Sequence, residues 1–151
     1  LLLGQEPYNP PSVSGWTAYY QLPLLHENWI TTDTIANRNK LSVYYLVGYN
    51  KRGFTIKADV IEFTKGFANP NDPNKLIDDA LEYLHTIPPT DDLKAHLKTI
   101  LLYGQAQDFY WTNAWNDHIS DPNDAAKKKI ANDLLTFFYK YILELAEYQL
   151  I

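Results

Sequence analysis

The richest local cluster of chemically useful side chains is Trp111-Thr112-Asn113-Ala114-Trp115-Asn116-Asp117-His118. Helical spacing puts Trp111, Trp115 and His118 on one face. With Asp117, Asp121 and Asp124 near in sequence, a cation site or an acid/base pair can be drawn there. The plainer expectation is a pair of core aromatics followed by a polar helix end, where a protonated histidine is favourable without any function. The other histidines, His26, His85 and His96, stand at no i+3 or i+4 spacing from one another or from His118. No helical metal pair is therefore expected, and no metal or cofactor is. His85 and His96 flank apolar stripes and read as partly exposed helix residues.

The carboxylates offer no more. Asp78-Asp79 and Asp91-Asp92 are neighbours in sequence, and on a helix such neighbours point about 100° apart, too far to converge on one substrate atom. Capping and solvation account for them. The chain has no Cys, which removes a thiolate nucleophile, a thiolate metal site and a disulfide framework together. No G-x-S-x-G, H-E-x-x-H, phosphate-loop or dinucleotide-binding glycine pattern occurs. No catalytic motif is visible, and enzymatic activity stays open. Were the chain part of the active site of a larger enzyme, His26, Glu27, Arg38 and His118 would be its polar groups.

A denser feature lies upstream. Residues 10–30, PPSVSGWTAYYQLPLLHENWI, hold three Pro, two Trp and an adjacent Tyr pair. Proline restricts the backbone and the rings supply contact area for few rotatable bonds, so the stretch suits a fixed, non-regular path. It can serve as a strap that lies across helices with its rings inward. Alternatively Trp16, Tyr19, Tyr20 and Trp29 form an exposed platform for a carbohydrate or peptide. Leu22, Leu24 and Leu25 have no reason to sit beside a sugar, which favours the strap. Trp29 and Ile30 directly precede the first helix and can staple its start. Early in that helix, Arg38 can anchor the strap's carbonyls or the Glu27 carboxylate through its fork of donors. The candidate binding residues are thus Trp16, Tyr19, Tyr20, His26, Trp29 and Arg38.

From Thr31 onward the pattern is helical. A cap among Thr31, Thr32 and Asp33 starts a first helix that runs to about Val47, and Gly48 with Asn50-Lys51-Arg52-Gly53 ends it. Ala58 to Lys65 reads as a short second helix closed by Gly66. Asp72-Pro73-Asn74 and Asp121-Pro122-Asn123 each place a capping carboxylate before a Pro at the first helical position. After the former, Leu76, Ile77, Ala80, Leu81 and Leu84 make one apolar stripe that stops before Pro88-Pro89. Thr90 caps a helix with Asp91 and Asp92 in its first turn and a stripe of Leu93, Leu97, Ile100 and Leu101, ended by Gly104. A further helix spans Asp108 to His118. The last runs from Pro122 to about Tyr148 with Ile130, Leu134, Leu135, Phe138, Tyr141, Ile142 and Leu145 as its core face. Phe54 to Val60 comes nearest to a strand but is too short and polar to seed a sheet. The expected fold is all-α, an irregular bundle of about five to six helices behind an aromatic, Pro-rich extended segment.

At 151 residues, one domain is the prior, with 1–30 as the strap and 31–151 as the helices. Apolar residues make up 46% and the formal charge is −5, which argues against disorder and against a nucleic-acid footprint. No apolar run approaches the roughly 20 residues of a membrane span. The opening Leu1-Leu2-Leu3-Gly4-Gln5 reads like the end of a helix begun elsewhere. The chain is therefore expected to be a C-terminal fragment of a longer protein, whose remainder is the first expected partner.

The run Asn9-Pro10-Pro11-Ser12-Val13-Ser14-Gly15-Trp16, then Ala18-Tyr19-Tyr20-Gln21, Trp29-Ile30 and Arg38, resembles the C-terminal part of the large bacterial family known as domain of unknown function 1800. Ala-Tyr-Tyr-Gln and the closing Glu147-Tyr148-Gln149-Leu150-Ile151 look like its Bacteroidetes branch. Matches at both ends extend the resemblance over the whole chain. Ser12 stands where the family commonly has Asn, and Thr17-Ala18-Tyr19 where many members have Pro-Gly-Gly. The resemblance implies a mainly helical, exported protein, periplasmic or extracellular, without an assigned activity, and it carries over no catalytic residue. The expected role is a helical structural or interaction module. A carbohydrate- or peptide-binding surface is the second reading and a share of a larger enzyme's active site the third.

Overall fold

The computed structural model describes residues 32–149. Within them the fold is an all-α bundle with one small hairpin. Helix α1 spans Thr32–Val47, strands β1 and β2 span Tyr49–Lys51 and Phe54–Ile56, α2 spans Val60–Lys65 and α3 spans Pro73–Leu84. Then come α4 (Asp91–Leu101), α5 (Phe109–Ser120), α6 (Ala125–Glu144) and α7 (Ala146–Gln149). Among the described residues no helix is long and apolar enough to cross a membrane.

The capping chemistry sets most of these boundaries. Asp59, Asp72 and Asp124 each accept two backbone N–H bonds at the start of α2, α3 and α6, and Thr90 accepts one at the start of α4. Pro73 takes the first helical position of α3 as expected. The start expected at Asp121-Pro122 is displaced to Asp124. Asp121 is spent as the C-cap of α5, its N–H donating to the Asp117 carbonyl, and residues 121–124 close a turn through Asp124 N to Asp121 O at 3.2 Å. The last helix also stops at Glu144, short of Tyr148. Leu145 adopts extended dihedrals (φ −66°, ψ 147°), and α7 resumes at an angle the continuous pattern did not signal.

The hairpin corrects the expectation that no strands form. β1 and β2 pair antiparallel with Lys51 opposite Phe54, leaving Arg52 and Gly53 as a two-residue turn at φ 53° and 83°. Positive φ at both positions is the geometry that matches strand twist in a tight hairpin. The hairpin buries almost nothing, with Phe54 78% exposed, so no alternating pattern marks it in sequence.

Helix α6 is the axis of the bundle, packing against α1, α2, α4, α5 and α7. Ala131, Leu135, Phe138, Tyr139 and Ile142 form its buried face. Ile130, expected in that face, is 55% exposed, because it sits about 100° around the helix from Ala131. Leu97 and Leu101 of α4, Trp111 and Trp115 of α5, and Val60 and Ile61 of α2 join that face in one core cluster, which Leu76, Ile77, Ala80 and Leu81 of α3 extend as α3 packs against α4. Polar bonds pin the layers. Thr64 Oγ1 and Tyr139 Oη lie 2.7 Å apart in the core, and Trp111 Nε1 donates to the Pro70 carbonyl at 2.8 Å. Burial pushes the Tyr139 hydroxyl well above the usual phenol range, the Thr64 bond offsetting part of the shift.

Candidate functional site

On α1, Arg38, Leu41, Ser42 and Tyr45 recur at steps of three and four, so they share one helix face. The end of α6 and the turn into α7 bring Leu143, Tyr148 and Gln149 to that face, and the two groups line a cleft of about 390 Å³. The break at Leu145 creates it: a straight α6 would carry Tyr148 and Gln149 along the α6 axis instead of back towards α1.

The Ser42 hydroxyl spans the cleft's floor, 2.7 Å from the Asn39 carbonyl and 3.0 Å from Glu144 Oε1. Glu144 also lies 3.9 Å from Lys140 Nζ. Gln149 Nε2 donates to the Leu143 carbonyl at 2.6 Å and holds the α6–α7 turn. Arg38 stands apart from these. Its Nε is shielded from solvent and meets no hydrogen-bond acceptor, and no ion pair engages its guanidinium among the described residues. Six lysines, by contrast, are paired with carboxylates: Lys65 with Glu62, Lys94 with Asp78, Lys98 with Asp108, Lys127 with Asp121 and Asp124, Lys129 with Asp133, and Lys140 with Glu144. The Lys98 bond holds the Asp108 carboxyl below its usual range, with Asn74 adding to it.

Of the residues expected to bind, Arg38 lies in this cleft. Trp16, Tyr19, Tyr20, His26 and Trp29 lie outside the described residues, as does Glu27. Leu41, Ser42, Tyr45 and Leu143 were not expected, although the three-and-four spacing from Arg38 carries the signal for the first three. Arg38 and Tyr148-Gln149, far apart in sequence, meet here.

The histidine cluster resolves differently. Trp111, Trp115 and His118 do share one face of α5, and all three are buried. His118 is 2% exposed, with neither ring nitrogen hydrogen-bonded among the described residues. Among those residues no group of three or more His, Asp or Glu side chains is placed to hold a metal ion. His85, expected to be partly exposed, is 8% exposed at the C-cap of α3, again without a partner for its ring. His96 is exposed and packs its ring 5.1 Å from Tyr141.

Both buried imidazoles are held below the usual histidine range. For His118 desolvation dominates and Lys65 and Lys128 add to it, against weaker opposing pulls from Glu62 and Asp59. For His85 desolvation outweighs the attraction of Glu147 on α7. The unfolded chain therefore takes up protons that the folded chain refuses. The associated stability is present in full above the unfolded value of 6.5 and is lost as pH falls towards each depressed folded value. Urea midpoints measured from about pH 8 to about pH 5 are expected to fall on the acid side, and His118→Gln is expected to flatten the slope. A wild-type midpoint independent of pH over that range would contradict the burial of both rings.

Comparison of the chain with family models, with curated proteins and with solved structures finds no match.

Proposed function

We propose that the chain is a helical structural and interaction module of an exported bacterial protein, and that the Arg38 cleft is the surface at which it engages a partner. The partner is a segment of its own longer chain or a separate protein. One observation carries this reading: a guanidinium with a shielded, unpaired Nε lines an open recess in a protein that pairs many of its other cations. Leaving a shielded donor unpaired costs free energy that an incoming acceptor would recover. The resemblance of the chain's first and last segments to an exported family supports the setting. So does the convergence of Arg38, Tyr148 and Gln149, drawn from those segments, on one cleft.

A fragment library screened by two-dimensional amide NMR tests the placement. Hits are expected to shift resonances of residues 38–45 and 143–149 first. Hits that shift only residues 10–30 would replace this reading with the aromatic carbohydrate- or peptide-binding surface of Trp16, Tyr19, Tyr20 and Trp29.

A further inference from the structure

We infer that the cleft recognises the C-terminal carboxylate of a peptide whose last residue is apolar, an inference that rests on the cleft being the interaction surface. The charge balance selects the head group. No carboxylate is among the described residues that line the cleft, and that of Glu144, which meets the lining residue Ser42 at 3.0 Å, also lies 3.9 Å from Lys140. Arg38 is then the cation left without a counterion among the described residues that line the cleft. A planar guanidinium grips a carboxylate through two parallel N–H···O bonds, so one fork satisfies one carboxylate. A phosphate dianion would bring a second negative charge towards Glu144 with no second cation to meet it. A neutral ligand would leave the guanidinium unpaired.

The rest of the wall selects the body. Leu41 and Leu143 with the rings of Tyr45 and Tyr148 form an apolar flank suited to one hydrophobic side chain. Gln149 spends its Nε2 on the Leu143 carbonyl, which fixes the amide and leaves Oε1 as an acceptor for a peptide N–H. At about 390 Å³ the cleft falls at the lower end of the range for ligand sites, roughly 300–1,000 Å³. That is room for the end of a chain and not for a helix. Carboxylate, side chain and amide N–H thus have separate receivers on Arg38, the leucine–tyrosine flank and Gln149.

The test uses the full 151-residue chain and a tripeptide ending in leucine, prepared as the free acid and as the C-terminal amide. The acid is expected to shift the amide resonances of Arg38, Tyr45 and Tyr148 and to bind about tenfold or more tightly than the amide. Arg38→Gln is expected to erase that preference. To separate this effect from any disturbance of α1, Arg38→Lys and the salt dependence of the wild type give independent readings. Lysine should retain part of the preference, and added salt should weaken the acid but not the amide. Equal binding of acid and amide, with the same resonances shifting, would overturn carboxylate recognition while leaving the cleft as the interaction surface. If neither peptide shifts the cleft's resonances, both conclusions fall.

Discussion

Trp111→Ala is expected to lower the unfolding free energy by about 4 kcal/mol, in the upper range for truncating a large buried aromatic. The indole is fully buried against the α6 axis, 5.5 Å from the Trp115 ring centroid, and its Nε1 donates to the Pro70 carbonyl at 2.8 Å. The substitution therefore opens a cavity and strands a carbonyl that holds the loop between α2 and α3 against α5. Domains of this size keep only about 5–15 kcal/mol in total, so the loss is a large share of the whole. At roughly 2–4 °C per kcal/mol, the melting temperature should fall by roughly 12 °C. Trp111→Phe retains most of the volume and isolates the hydrogen bond, with a cost of about 1–3 kcal/mol expected. Denaturant unfolding of both variants checks the pair, and an alanine variant within about 1 kcal/mol of wild type would mean that α5 does not pack as described.

Trp16→Ala carries the second large effect, about 3 kcal/mol or more, if residues 10–30 pack their rings inward as the leucines among them suggest. The position lies outside the described residues, so the substitution tests the strap directly instead of repeating a known contact. In sequence the stretch carries three prolines and a Gly15-Trp16 step, and Trp29-Ile30 come shortly before Thr32, where α1 begins. An unchanged melting temperature would mean that the indole is spent outside the core, and the platform reading would gain at the strap's expense. Tryptophan emission gives a second readout: if the Trp16 indole packs inward, the substitution removes a short-wavelength component from the spectrum, and if it sits in water the substitution removes a long-wavelength one.

The helical skeleton was legible because its punctuation is chemical. Asp72-Pro73, Thr90 before Asp91-Asp92, and Gly48 at φ 112° each mark a boundary through a hydrogen bond or dihedral the residue itself supplies. The errors arise where two elements compete for one residue or where burial carries no pattern. Asp121 could cap the helix after it or close the helix before it, and it does the latter. The hairpin has hardly any buried face, so backbone pairing and the positive φ values at Arg52 and Gly53 define it. His85 looked exposed because its apolar surroundings come from tertiary packing, beyond the reach of its own helix stripe.

The candidate site divides in the same way. Arg38 could be singled out from its residue type and its position early in α1. Its setting could not, because the hydrogen bond that closes the floor joins Ser42 to Glu144, 102 residues away. Nothing local announces the break at Leu145 that folds Tyr148 and Gln149 back, since Leu145 continues the apolar stripe of α6. A stripe specifies which face is greasy, not where the backbone leaves the helix.

The hairpin's isolation has a practical side. Its tip at Arg52-Gly53 faces water, and Phe54 and Ile56 beside it lie outside the packed core. A fluorophore, an affinity tag or a grafted epitope placed there would report on the protein from a distance, with the helices beneath left undisturbed.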